Sequence, residues 1–235
     1  MPLFFNCKTG ELSKKAMLKL DDLLIDGMKI YQDDQLYKFT SDSVLLSRFA
    51  RAKKNDVVAD FCAGSGIVGL HFYALHRSLI RSMTLFEMQE ELCDLAKKSI
   101  ELNGLSEIVS VRNVKIQDLS ADCNEKFSLI LCNPPYYPAA DAEGRDFRRE
   151  ACRYELTLSL EELIAAAAKS LKFGGRFCIA HLSARLAEVI FLMKKYRLEP
   201  KRLTTVSGGG RIYLVLVEAV KGGRAGLKME NERVN

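Results

Sequence analysis

No stretch of the 235-residue chain approaches the roughly 20 consecutive apolar residues that a membrane-spanning helix needs. The first residues lack an apolar core followed by small residues, so no secretory leader is expected. No C-x-x-C occurs among the seven cysteines, Cys7, Cys62, Cys93, Cys123, Cys132, Cys152 and Cys178. Zinc and dithiol redox motifs are therefore not expected, and a reduced, cytoplasmic protein fits. Only three histidines occur, His71, His76 and His181, without ligand spacing; they read as structural or surface residues, and no metal is expected. Internal repeats and linkers are also missing. That predicts one domain over 1–235: an arm, hairpin and helix in 1–52, a core in 53–220, and a frayed, glycine-rich, charged tail in 221–235.

What is present is mildly basic and well supplied with core. Hydrophobic residues make up 48% of the chain, charged residues 28%, and the net charge is +5. That balance is compatible with a nucleic-acid partner and does not require one. The most informative stretch is Phe127-Ser128-Leu129-Ile130-Leu131-Cys132-Asn133-Pro134-Pro135-Tyr136-Tyr137. An apolar run of strand length stops at two prolines, which remove two backbone donors and fix φ. The residue before a proline is held extended, so Asn133 stands on a rigid platform at a strand's carboxyl end. The Asn133 side-chain oxygen and the Pro134 carbonyl can each accept one N–H of a planar amine, and Tyr136 can stack on its ring. An ordinary strand exit has the same letters, so the rest of the chain must decide.

That remainder alternates strand and helix. Asp26-Gly27 signals a hairpin between 23–25 and 28–31. A helical pattern starts at Val44, capped from Thr40, Ser41 or Asp42. Strand 57–61 leads into helix 67–79, strand 82–86 into a helix from Glu90 that Asn103-Gly104 ends, and a strand follows at 108–111. Ser159 and Glu162 form a capping box for a helix through Leu171. Gly174-Gly175 separates it from strand 176–180, a helix over 183–196 follows, and a hairpin folds around 207–210. The pattern predicts an α/β, Rossmann-like fold: a seven-stranded, mostly parallel sheet with an antiparallel terminal hairpin.

Gly64, Gly66 and Gly69 satisfy G-x-G-x-x-G, so a nicotinamide cofactor is one reading. Glu87, at the next strand's end, suits ribose hydroxyls with either cofactor. Asp60, four residues before Gly64, suits the α-ammonium of a methionine moiety better than a pyrophosphate. Asp118 can accept from an adenine amine, and Leu119 can pack on its ring. Together these describe S-adenosyl-L-methionine.

With those residues in view the chain resembles class I S-adenosylmethionine-dependent methyltransferases over about 22–220. More narrowly it resembles the bacterial tRNA(Val) (adenine-37-N6)-methyltransferase family. The resemblance rests on 22–32, on Tyr37 to Leu46, on the glycine turn, on Asn133 to Tyr137, on Arg149 to Glu155 and on Gly174 to Phe177. It implies Asn133, Pro134, Pro135 and Tyr136 as the catalytic amine clamp. It implies Thr40, Asp42, Asp60, Cys62, Gly64, Gly66, Glu87, Met88, Asp118, Leu119 and Asn133 as cofactor contacts, with Thr40 and Asp42 near the methionine end. Tyr136, Tyr137 and the basic loop Arg145, Arg148, Arg149 and Arg153 are the expected substrate contacts, the arginines as phosphate ligands or as part of a solvated charge run. A second basic run, Lys194, Lys195, Arg197, Lys201 and Arg202, has the same ambiguity, as does the lysine-rich start. The expected partner is tRNA, and the expected state a monomer or weak homodimer. A glutamine methyltransferase acting on release factors shares the clamp, although its relatives have a longer helical N-terminal domain. An NAD(P) oxidoreductase and a silent RNA-binding module remain as further alternatives.

Overall fold

A computed structural model describes residues 18–33, 41–137, 155, 157–231 and 233–234. The lysines at 8, 14 and 15, Thr40 and the arginines at 145, 148, 149 and 153 lie outside the described residues. Two strands, β1 (Leu18–Asp22) and β2 (Lys29–Asp33), form an antiparallel hairpin. Helix α1 (Ser41–Phe49) follows, and then β3 (Asp56–Phe61), α2 (Ile67–His76), β4 (Ile80–Glu87), α3 (Glu90–Leu102), β5 (Val109–Asn113) and β6 (Phe127–Cys132). Next come α4 (Leu160–Ser170), β7 (Leu171–Leu182), α5 (Leu186–Lys195), β8 (Leu198–Gly208) and β9 (Arg211–Lys221), with two-residue strands β10 (Lys228–Met229) and β11 (Arg233–Val234) at the end.

The main sheet has the order β10-β8-β9-β7-β6-β3-β4-β5, with β11 also on β8. Strands β3 to β7 pair in parallel, and β9 runs antiparallel to both β7 and β8. Seven long strands, β3 to β9, therefore make the expected mostly parallel sheet with its antiparallel hairpin. Alternation along the strands splits the core into two layers. Val58, Leu129, Leu131, Cys178 and Leu216 face one side with Leu46, Phe49, Leu70 and Phe72 of α1 and α2. Ala59, Ile130, Phe177 and Val217 face the other with Leu163, Ala167, Val189 and Met193 of α4 and α5. Among the described residues no helix is long and apolar enough to cross a membrane.

The first hairpin turns where Asp26-Gly27 predicted. Both residues have positive φ, and Met28 N–H donates to the Ile25 carbonyl at 3.0 Å. The paired strands begin farther out, because the Asp22 side chain accepts from Leu24 N–H at 2.6 Å and bends the chain there. Two other expectations are corrected. Gly174-Gly175 does not separate helix from strand: β7 starts at Leu171, and the glycines sit in a bulge where the β6–β7 register shifts. A Cβ on Gly175 would lie 2.8 Å from the Lys172 carbonyl, so the bulge excludes larger residues. The tail does not simply fray either. Lys228 and Met229 pair with Arg202 and Leu203, and Glu230 N–H donates to the Leu203 carbonyl at 2.7 Å.

Two buried ion pairs tie the ends of the sheet to what precedes it. Arg176 meets Asp56 at 2.5 Å, and Asp56 also accepts from Ser128 Oγ at 2.7 Å. Arg202 meets Glu218 at 3.0 Å, donates to the Phe49 carbonyl at 2.9 Å, and lies 4.3 Å over the Phe49 ring. A buried pair adds little net stability, but removing one member strands a charge. Arg176→Met should therefore destabilise the chain by about 3–5 kcal/mol in urea unfolding. A loss below about 1 kcal/mol would show that Asp56 finds other compensation.

Candidate active site

The sheet reverses direction between β3 and β6. From β3 the chain goes outward to β4 and β5, then returns to place β6 on the other side. Open α/β sheets bind ligands outside the carboxyl ends of strands at such a point. A cleft opens there, lined by the turn after β3 (Cys62 to Ser65), the end of β4 (Phe86 to Gln89), Val114 to Gln117, Asn133 and Pro135, with Ser43, Ile67, Val68, Thr157 and Leu158 completing it.

The glycine turn explains the cleft's floor. Gly64 and Gly66 both have positive φ, at 57° and 93°. A Cβ on Gly64 meets nothing within 4 Å, so that backbone faces open space, as a ligand-binding turn requires. Gly69 packs helix α2 onto β4: a Cβ there would fall 2.5 Å from Leu85 Cδ2. The close approach also brings Gly69 N–H to Asp60 Oδ2 at 2.8 Å.

Asp60 is fully buried beneath this turn, and its Oδ1 has no hydrogen-bond partner among the described residues. Burial, together with the nearby Glu87 carboxylate, pushes its pKa up to about 8 despite the Gly69 N–H. Glu87 stands at the end of β4 as expected. Its Oε2 accepts from Gly64 N–H and its Oε1 from Gln89 N–H, both at 2.9 Å. It thereby joins the two turns that frame the cleft, and burial raises its pKa too. Asp60 does not itself line the cleft: it lies under the glycine turn, and Glu87 is the carboxylate that faces the cavity. An acidic lining with a second buried carboxyl beneath it fits a ligand that brings positive charge and ribose hydroxyls. The donor set therefore fits S-adenosylmethionine, and fits a pyrophosphate badly.

Other expected contacts are distributed less evenly. Cys62 and Met88 line the cleft, and Met88 Sδ accepts from Thr157 Oγ1 at 3.2 Å. Asp118 and Leu119 do not line it: Asp118 is exposed in the short turn Ile116–Asp118, while Ile116 and Gln117 face the cleft. Asp42 is turned away from the cofactor side, its Oδ1 accepting from Tyr213 Oη at 2.9 Å, and its neighbour Ser43 lines the cleft instead. Thr157 and Leu158 escaped the sequence reading altogether. Their only signal was the apolar step just ahead of the Ser159 capping box, which α4 does use.

The platform after β6 is built as expected and braced from several sides. Asn133 Nδ2 donates to Ser43 Oγ at 2.9 Å, and its Oδ1 accepts from the Tyr136 hydroxyl. The Tyr136 ring packs on His181, centroids 5.6 Å apart. His181 is fully buried, and burial pushes its pKa down to about 4, so it is a neutral wall. Arg185 donates to the Tyr136 carbonyl at 3.2 Å, pairs with Glu155 and bonds Glu188 at 2.8 Å. Tyr137 is half exposed, its carbonyl accepting from Glu155 N–H at 2.8 Å. The second basic run sits at the other end of the strands, and most of it is paired within the protein: Lys194 with Glu199, Lys195 with Glu161 and Arg202 with Glu218.

Fold and cleft together define a class I methyltransferase. Among solved structures, TYW2 of P. horikoshii, in complex with MeSAdo, superposes with a TM-score of 0.61 at 16% identity, covering 88% of this chain and 72% of that one. The sequence model of the methyltransferase small domain matches residues 39–196, and the chain belongs to that family. Two curated relatives are tRNA1(Val) (adenine(37)-N6)-methyltransferases: that of Cronobacter sakazakii, 28% identical over 70% of this chain, and that of Proteus mirabilis, 27% identical over 71%. The matched stretch spans 66% and 65% of those relatives' own lengths, just under two thirds of each.

The state of Asp60 gives a pH prediction. Its ordinary pKa of 3.8 applies to the unfolded chain, against about 8 when folded. Between these values the folded chain holds a proton that the unfolded chain has lost, so stability falls as pH rises through the window. Asp60→Asn removes that fall. Without cofactor, its Tm relative to wild type should therefore rise steadily from pH 5 to pH 8.5. Parallel curves would place Asp60 in its ordinary range.

Proposed function

We propose that the chain transfers a methyl group from S-adenosylmethionine to the exocyclic N6 of an unpaired adenosine in tRNA, with the adenosine beside the anticodon of a valine tRNA as the target. The carrying observation is that Asn133 and Pro135 of the platform line the same cleft as the glycine turn and Glu87. The names of the two relatives, tRNA1(Val) (adenine(37)-N6)-methyltransferases, support the same choice of substrate.

When bound, S-adenosylmethionine supplies an electrophilic methyl on a sulfonium. The protein's own work is to hold. Asp60 sits beneath the glycine turn, acts on the ammonium end from below and holds the start of α2 through Gly69 N–H, and Glu87 retains lone pairs for ribose hydroxyls beside its two backbone donors. Asn133 Oδ1 and the Pro134 carbonyl accept the two N6 hydrogens, favouring a pyramidal nitrogen whose lone pair points at the methyl. The bound donor would supply the methyl with loss of its sulfur–carbon bond, while Asn133 and Pro134 would hold the nitrogen as its proton, made acidic by alkylation, leaves to water. No strong base is needed, and positioning supplies most of the rate. A loop adenosine is already unstacked in part, so extruding it costs less than flipping one from a duplex.

The decisive experiment is transfer from methyl-labelled S-adenosylmethionine into bulk tRNA, followed by nucleoside mass spectrometry. N6-methyladenosine is expected. Label in a release-factor fraction and none in tRNA would transfer the reading to a glutamine amide, which the same platform can hold. On the residue level, Asn133→Ala should lower kcat at least about a hundredfold while cofactor affinity stays within about twofold of wild type. Full turnover in that variant would remove the clamp from the mechanism. Asp60→Ala should do the reverse at the binding step, weakening cofactor affinity about tenfold by calorimetry.

A further inference from the structure

A stacking ring has no need of a hydroxyl, yet Tyr136 carries one that stands between two oxygens. It donates to Asn133 Oδ1, and Asp42 Oδ2 lies 3.5 Å away. That separation is long for an O–H···O bond, so in this state the hydroxyl hydrogen belongs to Asn133. Asp42 is 8% exposed and is gripped from the other side by Tyr213 Oη at 2.9 Å. The carboxylate comes from the first turn of α1, Tyr213 from β9 and Tyr136 from the loop after β6. Three separate parts of the chain thus converge behind the amine clamp and outside the cofactor cleft.

Asn133 itself has little freedom to adapt. Its Nδ2 donates to Ser43 Oγ and its Oδ1 faces Tyr136, so both ends of the amide are engaged. Any amine that uses Asn133 Oδ1 shares that oxygen with the phenol, which engages one of its two lone pairs and leaves it a weaker acceptor.

The geometry points to Asp42, braced by Tyr213, as a positioning residue that takes over the Tyr136 hydroxyl when a substrate amine claims Asn133 Oδ1. The exchange requires rotation of one hydrogen about its C–O bond and an approach of a few tenths of an ångström. The ring stays where His181 and Arg185 hold it. Asn133 then offers its full acceptor strength to the amine, and the stacking face keeps its place. This inference rests on the amine-methylation reading and assigns residues that act on the clamp from behind.

Two measurements test it. The first needs no RNA: calorimetric titration with S-adenosylhomocysteine should give Asp42→Asn an affinity within about twofold of wild type. A loss of about tenfold or more would make Asp42 a cofactor contact and overturn the assignment, whatever the substrate. The second is a double-mutant cycle with bulk tRNA as acceptor. Asp42→Asn should lower kcat about tenfold with an unchanged KM for S-adenosylmethionine, and Tyr213→Phe about threefold. In a Tyr136→Phe background, where no hydroxyl competes for Asn133, neither substitution should cost anything further. Equal losses in both backgrounds would mean that Asp42 acts independently of that hydroxyl, and the proposal would fall. Failure of the substrate reading is separate, since it appears in the wild-type protein as absence of methyl transfer to tRNA, and the titration still decides where Asp42 belongs.

Discussion

Parallel pairing of β3 with β6 is the constraint from which the site follows. The register sets Phe61 against Cys132, so each strand ends at the same level. The next residues are Cys62, which opens the glycine turn, and Asn133, which opens the platform. A one-residue slip would turn every side chain of β6 to the opposite layer. That slip is opposed on both faces, since Leu129 and Leu131 fill one core layer while Ile130 and Cys132 fill the other. Adjacency of the cofactor turn and the amine clamp is therefore enforced by hydrophobic alternation some distance from any chemistry. It needs no direct bond between the two functional segments.

What was legible in the chain follows the same physics. Strands and helices with strong periodicity fell where the pattern put them, and local chemistry with a single solution did too: the Asp26-Gly27 turn, the capping box at Ser159 and the double-proline stop after Cys132. Two elements were misread because Gly-Gly and a charged, glycine-rich tail are compositional signals. Gly174 and Gly175 looked like a break, but the flanking strand is held by β6 and β9, and the bulge absorbs the extra residues. Leu227 and Met229 of the tail stay exposed, yet the tail gains order from backbone pairing to β8 and from Glu230, which meets Arg51 at 2.9 Å and Arg202 at 3.2 Å. Long-range pairing of this sort has no signature within the segment itself.

The candidate site was legible to the extent that its residues lie on strand ends. Asp60 is the penultimate residue of β3, Glu87 the last of β4 and Asn133 the first after β6, and the sheet topology brings these strand ends together. Asp118 and Leu119 sit in a loop whose path is set by short turns, and there the reading missed by about two positions, with Ile116 and Gln117 facing the cleft. Asp42 was misplaced for a different reason. Helix α1 precedes the sheet, and the direction of each residue in its first turn depends on packing against β9, which is contributed by the far end of the chain. Nothing near Asp42 in sequence could show Tyr213 as its partner.

The electrostatics of the cleft also bear on what it binds. Asp60 and Glu87 are buried close enough to raise the pKa of Asp60, and Asp60 keeps one oxygen without a donor. A folded chain gains nothing from such an arrangement by itself, because an unpaired buried carboxyl costs free energy in either protonation state. On the proposed function, a cationic methyl donor in the cleft above lowers the electrostatic cost of both carboxyl groups, whereas an anionic dinucleotide raises it. The glycine spacing alone is common to both cofactors, and the acidic end of the cleft is what favours the methyl donor in that proposal.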